Sequence, residues 1–133
     1  MEQDYNQYLT SKVLTASKAE LIVIQYEAAI TFMKKAREQL LAKEIAAHSI
    51  GKASAILFNL VSSLDMNRGK PIAANLMNLY RYMIDQLLLA GRTKNPQYLE
   101  APIYFMSDLK TAWDFVVKQT SSSETSGSYK KVV

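Results

Sequence analysis

The side chains able to do acid–base or metal chemistry are few, and their spacing does not suit it. His48 is the one histidine, and Glu44 precedes it by four positions. A di-metal carboxylate bundle needs Glu-x-x-His pairs, with the histidine three positions on, from two facing helices. Serine catalysis would have only that histidine as base, and no serine sits in a strand–turn–helix elbow. The four glycines are dispersed singly, so no loop can cradle a phosphate. With no cysteine there is no disulfide, zinc–thiolate site or thiol nucleophile. Glu20 is accounted for by helix capping, and Asp65 reads as a helix-end or loop residue. The expectation is a chain that is not an enzyme and takes no metal or cofactor, with His48 an exposed or half-buried helix residue.

Composition narrows the class. The 133 residues make one domain, able to bury roughly 70% of its unfolded surface. Hydrophobic content of 49% with 4 Gly and 3 Pro favours a globular helical protein. The net charge of +4 comes from basic residues scattered among acids, such as Lys34, Arg37, Lys52, Arg81 and Lys94. That is a solvated surface, not a nucleic-acid stripe. The first residues lack a basic n-region and an apolar h-region, and no apolar run approaches ~18 residues. A cytosolic protein without membrane insertion is expected.

The elements come from apolar periodicity. Ser17 followed by Glu20 forms a capping box, fixing the start of a helix that runs to about Lys43. Its seam is Ile22, Tyr26, Ala29, Met33, Ala36 and Leu40, with Leu21, Ile24, Ala28 and Phe32 as a second stripe. A second helix, about Ile45 to Leu64, carries Ala46, Ile50, Ala53, Leu57, Leu60 and Leu64. Gly51 inside it either permits close approach of another backbone or is simply tolerated. Gly69 offers a permissive turn position, and Pro71 opens a third helix with Ala73, Leu76, Tyr80, Met83, Leu87 and Ala90 on one seam. Gly91 is expected to stop it. Asn95-Pro96 reads as an N-cap with a first-turn proline. The last helix carries Leu99, Ile103, Met106, Leu109, Trp113 and Val116. Pro102 predicts a kink, or a separate short turn over 96–101.

These elements predict an all-α fold, an antiparallel up-down four-helix bundle over 17–119. Residues 1–16 form an N-terminal arm or short helix. The Ser/Thr-rich stretch 120–133 has nothing to bury and is expected to be a disordered tail. Eight tyrosines and six methionines, several on apolar stripes, suit either core filling or adaptable contact with partners.

Three blocks, in order and at matching spacing, resemble the flagellar secretion chaperone FliS family. The first runs from Tyr8 through Val13-Leu-Thr-Ala-Ser17 and Glu20-Leu21 to Gln25-Tyr26-Glu27-Ala28-Ala29-Ile30. The second joins Ser62-Ser63-Leu64-Asp65-Met66 to the run from Ile72 to Met83. The third is Asp108-Leu109-Lys110-Thr111-Ala112-Trp113. The resemblance covers roughly residues 5 to 118, nearly all of the chain before its Ser/Thr-rich end. Lys18, Gln25, Glu27 and Ala28 depart from the family's usual Pro, Leu, Asp and Gly, and Pro102 is unusual in its last helix.

The resemblance implies a four-helix export chaperone whose client is the C-terminal segment of flagellin. Such a chaperone blocks premature polymerisation and delivers the subunit to the export gate of the flagellar type III system. Carried over by motif position, the implied client contacts are Tyr8, Val13, Thr15, Ala16, Leu21, Ile24, Leu60, Leu64, Ala73, Leu76, Leu79, Tyr80 and Met83. Ile22, Ala29, Met33, Leu57, Leu87 and Trp113 are expected to be core. Tyr8 and Val13 would gate the apolar groove when no client is present, and an empty groove would allow a homodimer. The alternative reading is a helical adaptor that binds a folded partner.

Overall fold

A computed structural model describes residues 2–122 of the chain. Five α-helices follow in order: α1 (Glu2–Thr15), α2 (Lys18–Leu41), α3 (Ala47–Ser62), α4 (Ile72–Thr93) and, after a 3₁₀ turn at Pro96–Leu99, α5 (Glu100–Ser122). The predicted four-helix bundle is α2 to α5, and the arm is helical as α1. α2 packs along both α3 and α5, and α3 along α4; α4 and α5 pack less extensively, with the 3₁₀ turn contacting both.

The periodic seams became the core. All six seam positions of α2 and all six of α4 are buried. So are Ile50, Ala53, Leu57 and Leu60 of α3, with Leu99, Ile103, Met106 and Trp113 at the α5 side. The stripe Leu21, Ile24, Ala28 and Phe32 is half-buried, and Glu27, Thr31, Lys34, Lys35 and Glu38 face solvent. Polar pairs fix the register between helices. Asn59 Nδ2 donates to Gln25 Oε1 at 2.8 Å, and Ser49 Oγ to Gln39 Oε1 at 2.9 Å. The departure at Gln25 therefore ties α2 to α3.

The termini of the helices differ from the sequence expectations in instructive ways. Ser17 caps α2, its Oγ accepting from the Glu20 N–H at 3.2 Å. The Glu20 carboxylate receives the Ser17 hydroxyl at 3.2 Å, where the capping box predicts the Ser17 N–H. α2 stops at Leu41, not Lys43, in a Schellman motif. The Lys43 N–H donates to Leu40 O at 3.0 Å, and the Glu44 N–H to Gln39 O at 2.7 Å. Lys43 takes the left-handed conformation this motif requires, at φ 60°.

Gly91 does not end α4, which continues to Thr93; Lys94 is the left-handed cap, at φ 58°. Gly91 serves packing instead, since a Cβ there would meet Ile50 Cδ1 at 3.3 Å. Gly69 is not in the left-handed region either. Its loop is shaped by Asp65, whose Oδ1 accepts the N–H groups of Asn67 (3.2 Å) and Arg68 (2.9 Å). The Lys70–Pro71 peptide is cis.

Asn95 accepts the Gln97 N–H at 3.0 Å and opens the 3₁₀ turn, as its sequence signature predicts. Pro102 then falls in the first turn of α5, where its missing N–H has no intrahelical role, and it is buried without interrupting the helix. α5 extends three residues beyond Gln119. The rest of the tail lies outside the described residues.

Candidate functional site

His48 is exposed on α3. Among the described residues no cluster of His, Cys, Asp or Glu could hold a metal ion. Among the described residues the most perturbed titratable groups are two core tyrosines. Tyr26 and Tyr80 bond hydroxyl to hydroxyl at 2.5 Å between α2 and α4, with rings 6.5 Å apart edge-to-face. The Trp113 side chain of α5 also bonds Tyr26. An indole N–H can only donate, so the Tyr26 oxygen accepts from it while sharing a hydrogen bond with the Tyr80 hydroxyl. Burial is the main cause that pushes Tyr80 up to about 12, and it holds Tyr26 higher still. This is a satisfied polar node of the core.

What the fold does offer is an apolar groove of about 880 Å³ at the end of the bundle opposite the α1–α2 junction. One wall is α3, where Ala47, Ile50, Gly51 and Ser54 recur at helical spacing along about two turns, or ~10 Å. The other is the end of α4, with Leu88, Gly91 and Arg92; the α2–α3 connection closes the top through Leu40, Lys43, Glu44, Ile45 and Ala46. The groove exists because small residues stand where a bundle would place large ones. Large apolar side chains cluster at its end of the molecule: Ile45 is 87% exposed, Leu41 66% and Leu88 55%.

Local rules are broken along this groove. Gly51 sits inside α3, where glycine costs about 1 kcal/mol relative to alanine, and a Cβ there would meet nothing within 4 Å. Ser54 Oγ is buried with no hydrogen-bond partner. Lys43 and Lys94, both lining residues, hold left-handed backbone that costs a non-glycine residue ~1–2 kcal/mol.

The residues expected to contact a client divide by burial. Leu60, Ala73, Leu76, Tyr80 and Met83 are core, at 9% exposure or less. The seams that carry these five pack against neighbouring helices. Tyr8 and Val13 are exposed, at 60% and 44%. Ala16, Leu21, Ile24, Leu64 and Leu79 are half-buried. The Thr15 side chain lies outside the described residues. Ala16, Leu21, Ile24 and Leu64 sit near the end that holds the α2 N-terminus and the α3 C-terminus, away from the groove. Tyr8 and Val13 are not among the residues that line this groove. The groove escaped sequence reasoning because its lining looks like an ordinary helix face. Gly51 was the one available signal. The core expectations at Ile22, Ala29, Met33, Leu57, Leu87 and Trp113 agree with the fold.

No helix among the described residues is long and apolar enough to cross a membrane. Comparison with known proteins now gives this bundle its relatives. The family described as Flagellar protein FliS matches residues 1–120. The flagellar secretion chaperone FliS of Salmonella typhimurium is 32% identical over 118 residues, covering 86% of this chain and 87% of the relative. Its namesake in Vibrio cholerae is 40% identical over 65 residues, about half of each chain (49% and 48%). The flagellar secretion chaperone FliSB of Pseudomonas aeruginosa is 28% identical over 116 residues, 86% of this chain and 92% of the relative. With a family match over nearly the whole described chain, this protein belongs to the FliS family of flagellar secretion chaperones.

Proposed function

We propose that this protein is a cytosolic, non-catalytic export chaperone that holds the C-terminal segment of flagellin, keeps it from polymerising and presents it to the export gate of the flagellar type III system. The observation that carries this reading is the unfilled apolar groove between α3 and α4 in a member of the FliS family. A client segment that lacks structure of its own brings apolar anchors spaced for a helix, and a groove lined at helical spacing receives them. Ordering such a segment costs several kcal/mol, so a broad contact is needed, extending to the half-buried Leu21, Ile24, Leu64 and Leu79. In the absence of client, the exposed apolar residues Leu41, Ile45 and Leu88 favour pairing of two copies.

Calorimetric titration of the intact chain with the C-terminal segment of flagellin from the same organism tests the reading. One-to-one binding with favourable enthalpy and a negative heat-capacity change is expected for coupled folding and binding. No binding at micromolar concentration by the folded protein overturns it and favours an adaptor for folded partners.

A further inference from the structure

We infer that the groove between α3 and α4 selects an amphipathic helical segment carrying carboxylates on its flank, with Lys43 and Lys94 as the residues that read the charge. This deepens the chaperone reading by naming the chemistry of one client segment.

Four features converge on it. Gly51 leaves open space on the groove face of α3, at the spot where an incoming backbone would lie closest. Ser54, three residues further along the same stripe, keeps a buried hydroxyl without a partner. Such a group is satisfied when a ligand brings a polar atom to it. The rim is basic: Lys43, Arg92 and Lys94 stand against the single carboxylate of Glu44. Lys43 and Lys94 also occupy the chain's two left-handed non-glycine positions among the described residues. Glycine or asparagine fills that conformation with less strain, so at both caps a lysine side chain is kept against backbone preference. A cation near a helix C-terminus gains from the macrodipole, but that benefit does not require the residue in the left-handed position itself.

The chain's own tail is a poor occupant. The residues after Ser122 carry Lys130 and Lys131 against Glu124, so their side chains repeat the sign of the rim. α5 also runs antiparallel to α4, so Ser122 lies at the far end of the bundle from the groove.

The test uses the intact chain and two synthetic helical peptides that share one apolar stripe, with glutamates on the flank of one and lysines on the flank of the other. The acidic peptide is expected to bind about tenfold more tightly, as two rim ion pairs supply. The preference should vanish in the double variant Lys43→Asn, Lys94→Asn, whose asparagines suit left-handed backbone. Gly51→Leu should abolish binding of both peptides without lowering the melting temperature. Equal affinity for the two peptides, no binding of either, or a preference that survives the double variant overturns the inference. A chain that binds flagellin but shows no such charge preference keeps the chaperone reading and loses this one. Charge-selective peptide binding without flagellin binding does the reverse.

Discussion

The tyrosine layer in the middle of the bundle and the groove at its end are made from the same helices to different standards. At Tyr26, Tyr80 and Trp113, three helices meet with large side chains, and the two phenols and the indole bond one another. At the groove, α3 and α4 present glycine, alanine and serine; Ser54 Oγ is buried without a partner, and two caps sit in left-handed backbone. The difference separates residues that hold the fold from residues held by it. Positions that satisfy every local rule serve stability, and departures gather where something else is to be bound.

Breaking the tyrosine layer gives the largest effect. Tyr80→Ala should cost about 3–5 kcal/mol of stability in denaturant unfolding, as truncating a large buried ring does. A stable variant with weakened flagellin binding would instead make Tyr80 a client contact. Leu76→Asp belongs with it, because its carboxylate would enter a buried seam.

The groove should respond with the opposite sign. Ser54→Ala removes an unpartnered buried hydroxyl and should stabilise the fold by ~1 kcal/mol or more, read from the same unfolding curves. Gly51→Ala should add about 1 kcal/mol through helix propensity, with no clash to offset it. Destabilisation by either change would mean the groove is ordinary core.

The smallest effect is a pH dependence that also sets the two regions apart. Tyr80 is held up to about 12, above the usual ~10 of a free tyrosine, and Tyr26 is raised further, so the folded state keeps protons that the unfolded chain loses. Their contribution is fully present below pH ~10 and is lost as pH rises toward and through the folded value. Tyrosinate absorbance should therefore show Tyr26 and Tyr80 ionising only at higher pH or on unfolding, and Tyr80→Phe should narrow the alkaline loss of stability.

Much of the bundle was legible in the sequence because burial follows a period of 3.6. The α2 seam from Ile22 to Leu40 and the α4 seam from Ala73 to Ala90 were read position by position and are buried. Helix ends were less legible, since glycine suggests a stop only where left-handed backbone is wanted. Here lysines took those positions, while Gly91 made room for Ile50. Site residues divided on the same principle. Leu60, Ala73, Leu76, Tyr80 and Met83 lie on the seams that periodicity assigns to the core, and burial followed the seam. The groove is lined jointly by α3, the end of α4 and the α2–α3 connection, which no single helix encodes.

The most direct test of the account is amide hydrogen exchange of the intact chain with and without the C-terminal segment of flagellin. The account predicts that exchange slows along Ala47–Ser54 and Leu88–Lys94, the two walls of the groove. Slowing confined to α1 or α5, with both walls unchanged on a saturated complex, would contradict it.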